Sequence, residues 1–132
     1  MIWREFSSLC QPDPSMTLRV MIVEDEPLIG AAMQMFVEDI GGEVSGPHMT
    51  LAAGLAAARQ PEPIDIALLD CNLGRDTSWP IAEALAERGV PFVFTSGKGA
   101  GEIDPRFSDR PVFAKTVDET RLKTYLEGLK RG

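Results

Sequence analysis

The chain is short of the residues that hold small proteins together by covalent or metal chemistry: its 132 residues include two cysteines, Cys10 and Cys71, and one histidine, His48. Two cysteines make no disulfide framework, which suits a reducing compartment, and a lone histidine cannot build an imidazole metal cluster. His48 reads as a surface loop residue and Cys71 as a small core residue. Long apolar runs are also missing. No segment approaches membrane-spanning length, and the amino terminus lacks the basic start and continuous apolar stretch of a secretory signal, so the expectation is a cytoplasmic protein with no membrane contact. Positive charge is scarce, with 13 Lys and Arg against 20 Asp and Glu and a formal net charge of -7. That balance argues against nucleic acid as a partner. Repeats and low-complexity tracts are absent, and the length fits one domain.

What is present is an alternation of periods. Residues 1–15 stand apart: Ile2, Trp3, Phe6 and Leu9 have roughly helical spacing and Q-P-D-P-S follows as a linker, so 1–15 reads as an extension and 16–132 as the domain. Residues 18–23 form a β-rich run, and Pro27 opens a helix with Ile29, Met33, Phe36, Val37 and Ile40 on one face, stopped by Gly41 and Gly42. Residues 43–45 read as a second strand. Thr50 caps a small Ala-rich helix through Arg59 with Leu51, Leu55 and Ala58 inward, and a third strand starts at Ile64. A third helix is expected over 80–88, a fourth strand over 91–95, a fifth over 111–114, and a last helix with Leu122, Tyr125, Leu126 and Leu129 on one side. Between Ser96 and Pro111, where the rhythm wants a helix, stand Gly97, Gly99, Gly101 and Pro105. These residues disfavour a helix interior, so a mobile loop or a poorly formed helix is expected there. Strands alternating with helices imply an α/β fold, a parallel sheet with helices on both faces.

In such a sheet the strand ends meet along one edge, where ligands bind. Glu24 and Asp25 follow the first strand, Asp70 ends the apolar run I-D-I-A-L-L-D, Thr95 and Ser96 end the fourth strand, and Lys115 follows the fifth. Three crowded carboxylates repel, and a hard divalent cation is the expected remedy. Mg²⁺ needs only one or two carboxylates plus a carbonyl oxygen, which Asp25, Asp70 and the Asn72 main chain can supply. A lysine and a hydroxyl beside that ion suit the oxygens of a phosphoryl group, making Asp70 the candidate nucleophile.

At this point the residues match a family. The segment from Leu18 to about Arg131 resembles the receiver domain of bacterial two-component response regulators, through Glu24 and Asp25 after V-M-I-V, Asp70 in L-L-D-C-N-L, Ser96 after P-F-V-F-T, and Lys115 after P-V-F-A. The resemblance implies five parallel strands in flavodoxin-like order with a fourth helix short or disordered. It also implies phosphorylation of Asp70 by a histidine kinase or a histidine phosphotransfer protein, with Mg²⁺ required. In this expectation the metal site comprises Glu24 (through water), Asp25, Asp70 and Asn72, Ser96 and Lys115 bind the phosphoryl oxygens, and output passes through an unknown downstream protein. P-F-V-F-T-S-G-K-G is similar to the subgroup named for its F-A-T-G-(hydrophobic)-Y motif, with Thr95 at the Ala position, Ser96 replacing Thr, and Lys98 in place of an aromatic residue.

Departures from the family pattern carry expectations of their own. Thr116 stands where the family has a proline in a cis bond, so the Lys115–Thr116 bond is expected trans. T-V-D-E, from Thr116 to Glu119, reads as a capping box that starts the last helix. Val112 occupies the aromatic switch position, and Phe113, of opposite parity, is assigned to the core. Three functions stay open at this point. The first is a stand-alone receiver that signals through a partner, relays a phosphoryl group or acts as a phosphate sink, without being a turnover enzyme. The second is a degenerate receiver that binds partners without phosphorylation. The third is a haloacid-dehalogenase-like phosphohydrolase, disfavoured because Asn72 replaces the acid–base aspartate that such enzymes place two residues after the nucleophile.

Overall fold

The structure, a computed structural model, describes residues 17–131. The expected extension over 1–15, with Cys10, lies outside the described residues. Five parallel strands form the sheet, β1 (Arg19–Val23), β2 (Glu43–His48), β3 (Ile66–Asp70), β6 (Phe92–Ser96) and β7 (Val112–Ala114), in the order β2-β1-β3-β6-β7. A two-stranded antiparallel ribbon, β4 (Asn72–Leu73) and β5 (Asp76–Thr77), projects beyond the end of β3. Helices α1 (Pro27–Asp39), α2 (Leu51–Ala58), α3 (Trp79–Glu87) and α4 (Glu119–Arg131) cover the faces. The α/β architecture, with strands and helices in the expected order, is therefore present.

The alternating side-chain directions of the strands split the core into two layers. Val20, Ile22, Ile66, Leu68, Val93 and Phe113 point to one face, where they meet Met33 and Val37 of α1 and Leu122 and Leu126 of α4. Met21, Val23, Ala67, Leu69, Phe92 and Phe94 point to the other, where they meet Ala58 of α2, Ile81, Ala82 and Leu85 of α3, and Phe107. Every residue of β3 and β6 is buried. These central strands read as continuous apolar runs because both their faces are covered.

Local signals explain most boundaries. Pro27 occupies the first turn of α1, and the Thr50 hydroxyl accepts from the Ala53 N–H at 3.1 Å to cap α2. Glycines at positive φ follow two helices, Gly41 after α1 and Gly89 after α3. The second strand runs further than the expected 43–45, to His48. His48 is consequently half-buried in a strand rather than lying in a surface loop, and burial lowers the pKa of its imidazole. The last helix starts differently from the expected capping box: Asp118, not Thr116, caps it, accepting from the Arg121 N–H at 2.9 Å. Between β6 and β7 no α-helix forms, as the glycines predicted. The segment is nonetheless not structureless, since it makes two short 3₁₀ turns, Ala100–Glu102 and Pro105–Phe107. Asp104 caps the second through the Arg106 N–H at 2.9 Å, and Phe107 buries its ring against Phe92 and Phe94.

Two glycines test this account with opposite signs. Gly46 has φ +107°, and a Cβ there would lie 2.6 Å from the His48 nitrogen and 2.7 Å from the Ile22 carbonyl oxygen, both backbone atoms. Gly46→Ala is expected to cost at least about 2 kcal/mol in urea unfolding. Exposed Gly128, inside α4 with nothing within 4 Å of an added Cβ, should instead stabilise the fold by about 0.5–1 kcal/mol when changed to Ala. Equal midpoints for the two variants would refute the assignment.

Candidate functional site

All five strands end at the same edge, so residues separated by up to 91 positions in the chain meet there. Glu24 follows β1 and is fully buried, Asp70 closes β3 at 3% exposure, and Ser96 closes β6 at 1%. Lys115 follows β7, and its backbone N–H donates to the Ser96 carbonyl at 2.9 Å, which extends the β6–β7 pairing by one residue. From there its ammonium reaches across the sheet end. Nζ donates to Asp70 Oδ2 at 2.8 Å and to Glu24 Oε2 at 3.1 Å, joining residues that follow three different strands.

Asp25 is half-buried, and its Oδ2 accepts from the Gly74 N–H at 3.0 Å, which ties the loop after β1 to the β4–β5 ribbon. Glu24, Asp25 and Asp70 can each offer a ligand oxygen, all within 4.8 Å of one another. Three carboxylates and one ammonium leave an excess of two negative charges. Glu24 Oε1 is buried and has no hydrogen-bond partner. A buried carboxylate oxygen without a donor is costly, and a cation would satisfy it. The donor set consists of hard oxygens and therefore fits a divalent ion of that class.

The charge excess is visible in the acid–base properties. Burial raises the Asp70 pKa first, the neighbouring Glu24 carboxylate raises it further, and Lys115 opposes them; the result is about 7 against an ordinary 3.8. Burial works against the Lys115 ammonium, but its bonds to Asp70 and Glu24 outweigh that and hold its pKa above the usual lysine value. Burial drives the Cys71 thiol up to about 12, which leaves it an inert core group as expected.

The structure brings Glu24, Asp25, Asp70, Ser96 and Lys115 to one edge, and the Asn72 N–H donates to Asp70 Oδ1 at 3.3 Å; two features differ from expectation. The bond from Lys115 to Thr116, expected trans because no proline follows, is cis. Lys115 is held at its backbone by Ser96 and at its ammonium by Asp70 and Glu24, so the site rather than the residue type after it sets the conformation here. Sequence reasoning also missed Glu102. Its carboxylate sits over the site, with Oε2 accepting from Ser96 Oγ at 2.5 Å and from the Lys98 N–H at 3.2 Å, and Oε1 accepting from the Asn72 amide at 2.6 Å. An acid six residues beyond the strand-end hydroxyl was the available signal. Trp79 packs edge-on against Phe94 with centroids 5.4 Å apart and lies 6.2 Å from Phe107, so it belongs to the aromatic layer under the 3₁₀ turns.

Comparison with known proteins finds this architecture among response regulator receiver domains. The solution structure of SdrG from Sphingomonas melonis is 40% identical, covers 86% of this chain and 97% of its own, and superposes with a TM-score of 0.74. A BeF3-activated conformation of SdrG is 41% identical over 85% of this chain and 95% of its own, with a TM-score of 0.70. A response regulator receiver domain from Methylobacillus flagellatus, 20% identical over 86% of this chain and 98% of its own, shares the fold with a TM-score of 0.70. Among curated proteins, the TorCAD operon transcriptional regulatory protein TorR of Escherichia coli O157:H7 is 35% identical over 80 residues, which is 60% of this chain. The match spans only 34% of that regulator's length. No family model matches the chain.

The raised pKa of Asp70 has a measurable sign. A folded-state value above the unfolded one means that the ionised carboxylate costs stability, from nothing near pH 3.8 to its full amount above about pH 7. In chelator at pH 7.5, Asp70→Asn should be more stable than wild type by about 1–2 kcal/mol after solvent screening is allowed for. That corresponds to a melting temperature higher by about 4–8 °C. The gain should vanish near pH 4, and a variant less stable than wild type at pH 7.5 would show that the lost Lys115 contact outweighs the relief of repulsion.

Proposed function

Because the chain belongs to the response regulator receiver domains, we propose that it accepts a phosphoryl group on Asp70 from a histidine kinase or histidine phosphotransfer protein. Output then passes to a downstream protein, or the phosphoryl group is relayed or discharged. The observation that carries this reading is the Lys115 ammonium bridging buried Asp70 and Glu24 beside a carboxylate oxygen that has no partner.

In the reaction a carboxylate oxygen of Asp70 attacks the phosphorus of a phosphohistidine. A phosphorus–oxygen bond forms, the phosphorus–nitrogen bond breaks, and its electron pair leaves on the imidazole nitrogen of the donor. Lys115 and the Ser96 hydroxyl bind the equatorial oxygens of the transferring group. Burial of Asp70 at 3% exposure limits the water that would compete for the phosphoryl group and hydrolyse the product. The donor set fits Mg²⁺, which Asp25, Asp70, Glu24 and the Asn72 main-chain carbonyl would hold and which would supply positive charge against the phosphoryl oxygens. The residue two positions after the nucleophile is an amide, Asn72, which has no acidic proton to give or take and is engaged with Glu102. The site is therefore suited to accepting a phosphoryl group rather than to rapid turnover.

The test is the intact mass of the protein after incubation with Mg²⁺ and acetyl phosphate. Wild type should gain the mass of one phosphoryl group, and the gain should be absent in Asp70→Asn and in chelator. An adduct that persists in Asp70→Asn would place the acceptor elsewhere and overturn the assignment.

A further inference from the structure

The Ser96 hydroxyl, assigned above to a phosphoryl oxygen, already has an anion on it. Ser96 Oγ lies 2.5 Å from Glu102 Oε2 and 3.1 Å from the Gly99 carbonyl oxygen, and it accepts from the Lys98 N–H at 3.0 Å. Glu102 Oε2 also accepts from the Lys98 N–H, and Glu102 Oε1 accepts from the Asn72 amide. One carboxylate thus collects a hydroxyl from the last residue of β6, a backbone N–H just beyond it and a side-chain amide from β4. Donors of this kind, converging from separate segments, also suit a phosphoryl group.

Valence makes the two anions exclusive. A serine hydroxyl has one proton to donate, so Ser96 cannot serve both Glu102 and a phosphoryl oxygen. A phosphoryl group on Asp70 would also bring about two negative charges next to the Glu102 carboxylate. Resting on the phosphoacceptor reading, we propose that Glu102 is an intramolecular anion that occupies the phosphoryl-oxygen donors Ser96, Lys98 N–H and Asn72 in the unmodified protein, so that phosphorylation exchanges one anion for another. The expelled carboxylate takes with it the 3₁₀ turn Ala100–Glu102. The neighbouring turn stays anchored, because Phe107 is buried in the aromatic layer and Arg106 pairs with Glu83 and Asp104. The moving part is then confined to residues 97–104. Glu102 touches the donors but not the acceptor atom, so it controls access to the site without taking part in bond making.

The test uses the full chain with Mg²⁺ and beryllium fluoride as the probe, comparing wild type, Glu102→Ala and Glu102→Gln by calorimetric titration and by amide hydrogen exchange. Glu102→Ala should bind the probe about tenfold more tightly than wild type, with Glu102→Gln in between because the amide keeps shape but loses charge. Exchange over 97–104 in probe-free Glu102→Ala should match that of probe-bound wild type. If wild type binds the probe and Glu102→Ala binds it with equal or lower affinity, Glu102 is no competitor and this inference fails while the phosphoacceptor reading stands. If wild type, Glu102→Ala and Glu102→Gln all fail to bind, the acceptor reading itself falls and the inference with it. Binding by the variants alone would support the inference in its strongest form, an acceptor closed by its own side chain.

Discussion

One ammonium holds the working edge of this protein together. Lys115 spans from the end of β7 to Asp70 on β3 and to Glu24 after β1. A group that bridges three strands can be satisfied only if all three end in the same direction at the same level. The parallel sheet, the burial of β3 and β6 on both faces, and the placing of helices on each side all serve that requirement. Neither acid would tolerate such burial without the lysine, and the lysine would not hold its charge there without the acids.

The cost of this arrangement is an unbalanced site. Three carboxylates surround one ammonium, and burial together with the neighbouring Glu24 carboxylate holds the Asp70 pKa well above its ordinary value. On the proposed reading, a cation would favour the ionised acid and a phosphoryl group would be met by Lys115 and Ser96. The same imbalance would, on the proposed reading, make phosphoryl acceptance depend on a bound cation.

The ends of β1, β3, β6 and β7 were legible in the sequence because each is an apolar run followed by a polar residue, and parallel connectivity then forces those residues together; β2, which is not such a run, was read three residues short. Helix faces were legible for the same reason, since Met33, Val37, Leu122 and Leu126 recur at helical spacing and do pack on the sheet. What escaped was set by contacts rather than by spacing. Thr116 and Asp118 are both competent helix caps two residues apart, and propensity alone does not choose between them; the aspartate is the one that reaches an orphan N–H. The glycines after Ser96 point to a mobile loop or a poorly formed helix, and two short 3₁₀ turns stand there. The order of this stretch comes from Glu102 and Phe107, residues with no periodic neighbours whose partners are Asn72 and Phe92, far away in the chain. Long-range pairs made by isolated side chains leave no local pattern.

The two outer strands of the sheet have a further consequence. At one border β7 is three residues long. At the other, β2 is interrupted by Gly46 and Pro47, and its register with β1 shifts there. Proline has no N–H to offer, and a short or irregular border gives an incoming chain little to pair with. Both borders of the sheet are therefore poor templates for strand addition by an incoming chain.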